Sequence, residues 1–206
     1  MGVGDSLRRL VIDQISQPRG LAAPVAARLL NRVNAAHNAA AVAKLSRGKE
    51  TVLELGFGGG VGLERLLDVH RGAVVAVDPS IEMVRRARRR FCGDVHGRRL
   101  LLLQGTAESL PLRSGSLDAV ISVHSLYYWH DWETGLSEVA RTLAPTGELI
   151  LGSGTKANEH AQALGLDRAG FRAPSVHDIR GAMARVGLVD VDLTVDGAFA
   201  VLVGRR

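Results

Sequence analysis

Glu54-Leu55-Gly56-Phe57-Gly58-Gly59-Gly60-Val61-Gly62 decides how the rest of the chain is read. It follows the apolar run Thr51–Leu55 and precedes an amphipathic stretch, so it joins a strand to a helix. Glycines at such a junction permit positive φ and let a ligand approach the backbone without side-chain clash. The N-terminus of the following helix adds unpaired N–H groups and a partial positive charge. Five glycines in seven residues (56–62) exceed what a tight turn needs, so the loop is a ligand cradle.

The neighbouring segments repeat the same alternation. Ala73–Val77, Leu100–Leu103, Leu117–Val123 and Glu148–Leu151 read as strands; Val61–Val69, Ile81–Arg90 and Trp132–Leu143 read as helices. Strands apolar on both faces and separated by helices form a parallel sheet covered on both sides. After a capped helix at Ser175–Val186, the runs Val189–Val195 and Ala198–Val203 flank Asp196-Gly197, a hairpin signal that makes the last pair antiparallel. Upstream, an amphipathic helix over 5–16 is N-capped by Asp5 and broken by Gln17-Pro18-Arg19-Gly20. A second helix runs from Pro24 toward Leu45 and stops at Arg47-Gly48. The predicted fold class is α/β: a doubly wound seven-stranded sheet, mostly parallel with an antiparallel C-terminal hairpin strand, and helices on both faces. One domain is expected over 1–206, with N-terminal helices in 1–48 and a Rossmann-like core in 49–206.

Composition narrows the functional classes. The 206 residues are 46% hydrophobic and 23% charged, as in a folded globular protein. No apolar stretch suits a membrane span, and Asp5, Arg8, Arg9, Asp13 and Arg19 interrupt any signal-like run, so a cytoplasmic protein is expected. One cysteine, Cys92, excludes an internal disulfide framework, and no metal-ligand spacing occurs among the seven histidines. The net charge of +5 comes from a chain in which 23 of 26 basic residues are arginine, a bias that a GC-rich bacterial genome writes. The run Arg85-Arg86-Ala87-Arg88-Arg89-Arg90 lacks the interleaved aromatics of a single-strand nucleic-acid binder and reads as a solvated helix face.

The dinucleotide fingerprint G-x-G-x-x-G/A fails in every register of the glycine loop, and no Walker loop is present. The spacing is acidic-x-Gly-x-Gly-x-Gly over Glu54, Gly56, Gly58 and Gly60. That pattern suits a ligand carrying both a carboxylate, served by backbone N–H groups, and an ammonium, favoured by Glu54. Asp78 ends the second strand, where an acidic residue in a doubly wound sheet accepts from two ribose hydroxyls.

From Glu50 to about Leu151 the chain resembles the class I S-adenosylmethionine-dependent methyltransferases, in particular the group acting on small molecules. The glycine loop resembles that family's first motif. Val75-Ala76-Val77-Asp78-Pro79-Ser80-Ile81-Glu82-Met83 resembles its second, and Gly105-Thr106-Ala107-Glu108-Ser109-Leu110-Pro111 its Gly-Asp-Ala-Glu-x-Leu-Pro motif. Leu117–Ser122 resembles the fourth strand, and Arg141–Leu149 the turn before the fifth.

The resemblance implies S-adenosyl-L-methionine as cofactor. Glu54, Gly56, Phe57, Gly58 and Gly60 would hold its methionine end, and Asp78, Ser80 and Met83 its ribose and adenine. Thr106, Ala107, Glu108 and Ser122 complete the expected set. Thr106 stands where the family usually has Asp, which leaves the adenine amino group to the threonine hydroxyl, the backbone near Ala107, or Glu108. The fourth strand runs into His124, Tyr127, Tyr128 and His130. His124 is the base candidate, and Tyr127 and Tyr128 are candidate substrate-orienting groups. Asn31, Asn34, His37 and Asn38 are candidate polar groups of an acceptor pocket roofed by the N-terminal helices, and His160, in a 152–174 segment that could form part of a lid, reads rather as a solvent-exposed loop histidine. The expected partner is a small-molecule methyl acceptor. A nucleic-acid methyltransferase is the alternative, disfavoured because no Asp/Asn-Pro-Pro-Tyr motif follows the fourth strand; an inactive cofactor-binding scaffold is the other.

Overall fold

Among the described residues seven strands form one sheet, in the spatial order Leu100–Gln104 (β3), Ala73–Asp78 (β2), Thr51–Leu55 (β1), Leu117–Val123 (β4), Leu143–Gly154 (β5), Phe199–Arg205 (β7) and Val189–Asp196 (β6). The computed structural model describes residues 34–155, 174–197 and 199–206. The expected helix over 5–16, the Gln17-Pro18-Arg19-Gly20 break, Asn31 and His160 lie outside them. Residues 34–42 are helical (α1). There follow β1 (Thr51–Leu55), α2 (Val61–Val69), β2 (Ala73–Asp78), α3 (Ile81–Arg90), α4 (Cys92–His96) and β3 (Leu100–Gln104). Then come β4 (Leu117–Val123), a 3₁₀ turn at Leu126–Tyr128, α5 (Trp132–Thr142), β5 (Leu143–Gly154), α6 (Val176–Arg185), β6 (Val189–Asp196) and β7 (Phe199–Arg205).

The two-residue period of a strand sends neighbouring side chains to opposite faces, and here both faces are apolar. Val52, Val74, Ala76, Ala119, Ile121 and Ile150 join a cluster with Ala41 of α1, Leu63 and Leu66 of α2 and Met83 of α3. Leu53, Val75, Val77, Val120, Leu149 and Leu151 join the opposite cluster with Leu136 and Val139 of α5 and Ile179 and Met183 of α6. This is the doubly wound, two-sided sheet that the apolar runs predict. β1 pairs in parallel with β2 on one side and β4 on the other. The strand order reverses there, and such a switch point opens a crevice beyond the carboxyl ends of the strands.

Of the described strands only β7 runs against the rest, paired antiparallel with both β5 and β6. Asp196, expected in the hairpin loop, still pairs with Phe199, and Gly197 takes the first loop position at φ +57°. Positive φ at that position matches the twist of the strands, and glycine supplies it without strain. Two other elements differ from the sequence reading. β5 begins at Leu143 rather than Glu148, because Leu143 pairs with Leu117 before a bulge brings Glu148 opposite Ala119. The first described helix stops at residue 42 rather than near Leu45. Lys44 and Leu45 donate to the carbonyls of Ala41 and Val42 in a tightened last turn. Ser46 then leaves the helix to donate from its backbone N–H at 2.8 Å and its hydroxyl at 2.7 Å to the buried Glu148 carboxylate. No described helix is long and apolar enough to cross a membrane.

Candidate active site

The crevice at the switch point is walled by the ends of β1, β2 and β4 and by α1. Its floor is the glycine loop. Gly56 and Gly60 have φ near +77° and Gly58 has φ +49°, values that L side chains avoid. Gly56 also has no room for a side chain, since a Cβ there would lie 2.6 Å from Ser125 Cβ. Gly60 opens α2 and donates its N–H to the Phe57 carbonyl at 2.8 Å, which closes the loop on itself.

Two buried carboxyl groups, those of Asp78 and Glu54, line the cleft beside this loop. Asp78 accepts the Gly58 N–H on Oδ2 at 2.8 Å and the Ser80 N–H on Oδ1 at 2.9 Å. Burial pushes its pKa up to about 6 against the pull of those two donors. Glu54 is 6% exposed, and its Oε2 is buried without a hydrogen-bond partner. Burial first, and the neighbouring Asp78 second, push its pKa up to about 8. A carboxyl so placed favours a cation that replaces the lost water.

The third wall is the turn Thr106–Leu110, fixed from behind. Thr106 and Ser109 bridge, and the Gly105 N–H donates to the Asp78 carbonyl at 3.2 Å. Arg141 of α5 donates to the carbonyls of Leu110 at 3.2 Å and Leu112 at 3.0 Å, while Glu138 pairs with Arg141 and accepts the Leu110 N–H. Glu108 Oε1 accepts the Asp131 N–H at 3.2 Å, tying this turn to the start of α5.

Beyond β4 the chain turns sharply at His124, whose φ is +53° and whose N–H donates to the Gly152 carbonyl at 2.8 Å. Its ring Nε2 lies 2.7 Å from His37 Nδ1. Below it, Trp129 Nε1 donates to Ser125 Oγ at 3.2 Å, Ser125 meets Ser122 Oγ, and Ser122 Oγ donates to the Leu55 carbonyl at 3.0 Å. This buried chain fastens the turn after β4 to the end of β1.

The sequence-predicted residues divide accordingly. Glu54, Gly56, Phe57, Gly58, Asp78, Thr106, Ala107, Glu108, His124, Tyr128 and His130 line the cleft, together with Asn34 and Asn38 of α1. Gly60, Ser80, Met83, Ser122 and Tyr127 stand behind the wall. Ser80 N-caps α3, accepting from Met83 N, and Met83 is 1% exposed in the core. Tyr127 is buried against Tyr128, ring centroids 4.7 Å apart, and burial raises its phenol pKa. Ser125 and Trp129 line the cleft without having been foreseen. The Ser125 signal was the crowding at Gly56, which no single sequence displays. Arg90 of the arginine run turns toward the loop, pairing with Glu64 at 2.7 Å and donating to the Gly59 carbonyl at 3.1 Å.

Comparison with known proteins places this architecture. The "Methyltransferase domain" family matches residues 53–151. The uncharacterised methyltransferase YdaC of Bacillus subtilis is 30% identical over 153 residues, covering 72% of this chain and 76% of YdaC. The malonyl-[acyl-carrier protein] O-methyltransferase of Geobacter sulfurreducens is 31% identical over 193 residues, covering 78% of this chain and 70% of that protein. Among solved structures, a Haloferax volcanii chain described as a methyltransferase, in complex with the Trm112 methyltransferase activator, superposes with a TM-score of 0.71. It is 24% identical, over 91% of this chain and 98% of its own, and shares the fold. With these two relatives matched over more than two thirds of their length, the chain belongs to the class I S-adenosylmethionine-dependent methyltransferases.

Proposed function

We propose that the switch-point cleft binds S-adenosylmethionine and that the methyl group goes to a small-molecule acceptor. The observation that carries the reading is Glu54, a buried carboxyl with an unpartnered oxygen at the end of β1. The residues fit the cofactor end by end. Glu54 suits the ammonium of the methionyl portion, and the N–H groups of the positive-φ loop suit its carboxylate. Asp78 keeps a lone pair on each oxygen for ribose hydroxyls after accepting from Gly58 and Ser80. Thr106, Ala107 and Glu108 border the adenine position, with a hydroxyl where a carboxylate is usual. The cofactor supplies an electrophilic methyl on a sulfonium sulfur, which retains the carbon–sulfur electron pair.

The protein's own part is orientation, exclusion of water and proton handling. His124 is the base, and Tyr128, whose pKa burial pushes up to about 12, stays a neutral hydrogen-bond donor in the same wall. Asn34 and Asn38 place α1 over the cleft, which supports a single domain in which the N-terminal helices of 1–48 roof the acceptor site. Removing residues 1–22 then weakens turnover; unchanged cofactor affinity and activity would refute the roof. Among the described residues that line the cleft there is no Arg or Lys to hold phosphates, which supports a small acceptor over nucleic acid.

Calorimetric titration with S-adenosylmethionine, S-adenosylhomocysteine and NADH in parallel tests the cofactor assignment. Binding of the first two alone is the expected result, and binding of NADH or of none overturns it. Salt-dependent RNA binding would redirect the acceptor toward nucleic acid.

A further inference from the structure

Asn38 of α1 and Glu54 of β1 meet beside Gly62, the second residue of α2. A Cβ on Gly62 would lie 2.4 Å from Glu54 Oε1 and 2.5 Å from Asn38 Oδ1, so a glycine is what admits both oxygens there. The direction of the amide is fixed. Its Nδ2 donates to the Asn34 carbonyl at 2.9 Å, one turn back on α1, which leaves Oδ1 as the atom beside the carboxyl group. Both side chains line the switch-point cleft. Three elements distant in sequence thus bring two acceptor oxygens to one place.

Those oxygens call for a donor from outside the described chain. Among the described residues no hydrogen bond reaches Asn38 Oδ1, and Glu54 Oε2 is buried without one. An amide oxygen and an ionised carboxylate both accept only, so neither serves the other. A primary ammonium fits the pair, since it carries three N–H donors, no acceptor, and a charge opposite to that of the carboxylate. Removed from water, it needs more than one acceptor, and a second oxygen beside the carboxylate meets that need. The N–H groups of the glycine loop are themselves donors and suit an anionic group instead.

Resting on the S-adenosylmethionine reading above, we infer that Asn38 is a specificity residue for the cofactor: its Oδ1 and the Glu54 carboxylate together hold the methionyl ammonium, and the bare Cα of Gly62 lets them converge. Asn38 thereby serves the cofactor and not the acceptor pocket to which its place on the N-terminal helix assigned it. The two oxygens stand on α1 and β1, so the ammonium also fastens α1 to the sheet.

The test compares S-adenosylhomocysteine with its desamino analogue, which keeps the nucleoside, thioether and carboxylate and lacks the ammonium. Calorimetry on the wild type should favour S-adenosylhomocysteine by about tenfold or more, the scale of a lost charged hydrogen-bonding group. Asn38→Leu keeps the size of the side chain and removes the acceptor. It should weaken S-adenosylhomocysteine by roughly 10- to 100-fold and leave the desamino analogue within about threefold. Asn38→Asp returns an oxygen and should bind S-adenosylhomocysteine at least about threefold more tightly than Asn38→Leu does. Gly62→Ala, made on a different element, should repeat the ligand-selective loss, so a misfolded Asn38→Leu protein still leaves the claim open to refutation.

A wild type that binds S-adenosylhomocysteine and its desamino analogue equally overturns the ammonium seat and spares the cofactor reading. Equal losses of the two ligands in either variant make Asn38 or Gly62 a packing residue and overturn the assignment. So does an Asn38→Leu protein with wild-type affinity, or an Asn38→Asp protein no better than Asn38→Leu. A wild type that binds neither ligand overturns the cofactor reading, and this assignment with it.

Discussion

Asp78 Oδ2 accepts the backbone N–H of Gly58 at 2.8 Å, so the carboxylate proposed to meet the ribose also holds the shape of the loop proposed to meet the methionyl end. Asp78→Ala therefore removes a ligand contact and releases the loop together. A charge-assisted hydrogen bond contributes about 1.5–3 kcal/mol, which sets the expected loss of S-adenosylmethionine affinity at roughly 10- to 100-fold. Asp78→Asn, which retains one acceptor oxygen, loses less. Calorimetry on the two variants checks the order, and near wild-type affinity in Asp78→Ala would remove the ribose assignment.

Glu54 gives the ligand-free protein a pH dependence with a definite sign. Its folded pKa is raised to about 8 from the ordinary 4.5, and that of Asp78 to about 6 from 3.8. Between the unfolded and folded values the native state retains protons that the unfolded chain has released, so stability falls as pH rises. Thermal midpoints should decline from pH 5 to pH 8, and Glu54→Gln should flatten most of that slope. A cation at the site restores the carboxylate, so S-adenosylhomocysteine binding at pH 7 should release protons. Binding enthalpies in phosphate and Tris buffers report that release; identical values in the two buffers would rule it out.

How far the sequence revealed this arrangement depends on the range of the interactions involved. Thr51–Leu55, Val61–Val69, Ile81–Arg90 and Leu117–Val123 coincide with β1, α2, α3 and β4, because local period and turn glycines set their limits. The start of β5 escaped because Leu143 belongs to the strand only through its pairing with Leu117, a contact with no local signature. Within the site, Asp78 and Ser80 sit two residues apart in one motif, yet Asp78 faces the cleft and Ser80 turns inward to cap α3. A motif conveys spacing and not direction. Likewise His37 was readable only as a polar residue on a helix, since its partner His124 stands on a different element.

Gly56 and Gly58 should respond differently to the same substitution. Alanine at Gly58 meets nothing within 4 Å and carries only the left-handed backbone penalty, about 1–2 kcal/mol. Alanine at Gly56 carries that penalty and also places Cβ 2.6 Å from Ser125 Cβ, in the chain that fastens β4 to β1. Overpacking adds about 1–3 kcal/mol. Urea unfolding should therefore show the larger loss in Gly56→Ala. Equal losses would mean that the turn at Ser125 yields freely.

His124→Ala tests the base separately from its partner. General-base contributions of about 10²- to 10⁴-fold set the scale of the expected loss in turnover for an O–H acceptor. S-adenosylhomocysteine affinity should stay within a few-fold, because the proposed cofactor contacts lie on β1, β2 and the Thr106–Leu110 turn. Parallel losses of affinity and turnover would instead make His124 part of the cofactor wall.

Arg141 lies outside the cleft, yet it holds the turn proposed to border the adenine. It donates to the carbonyls of Leu110 and Leu112 and pairs with Glu138, which in turn accepts the Leu110 N–H. Arg141→Ala leaves two carbonyls and a carboxylate without their donor, a change of about 2 kcal/mol for partly buried groups. Lysine supplies a point charge but not the planar fork that reaches both carbonyls, so Arg141→Lys should recover only part of the loss. The informative readout is selectivity. S-adenosylmethionine should lose several-fold more affinity than methionine alone, because the turn borders the nucleoside and not the amino acid. A uniform loss for both ligands would show that Arg141 stabilises the fold without shaping the adenine end.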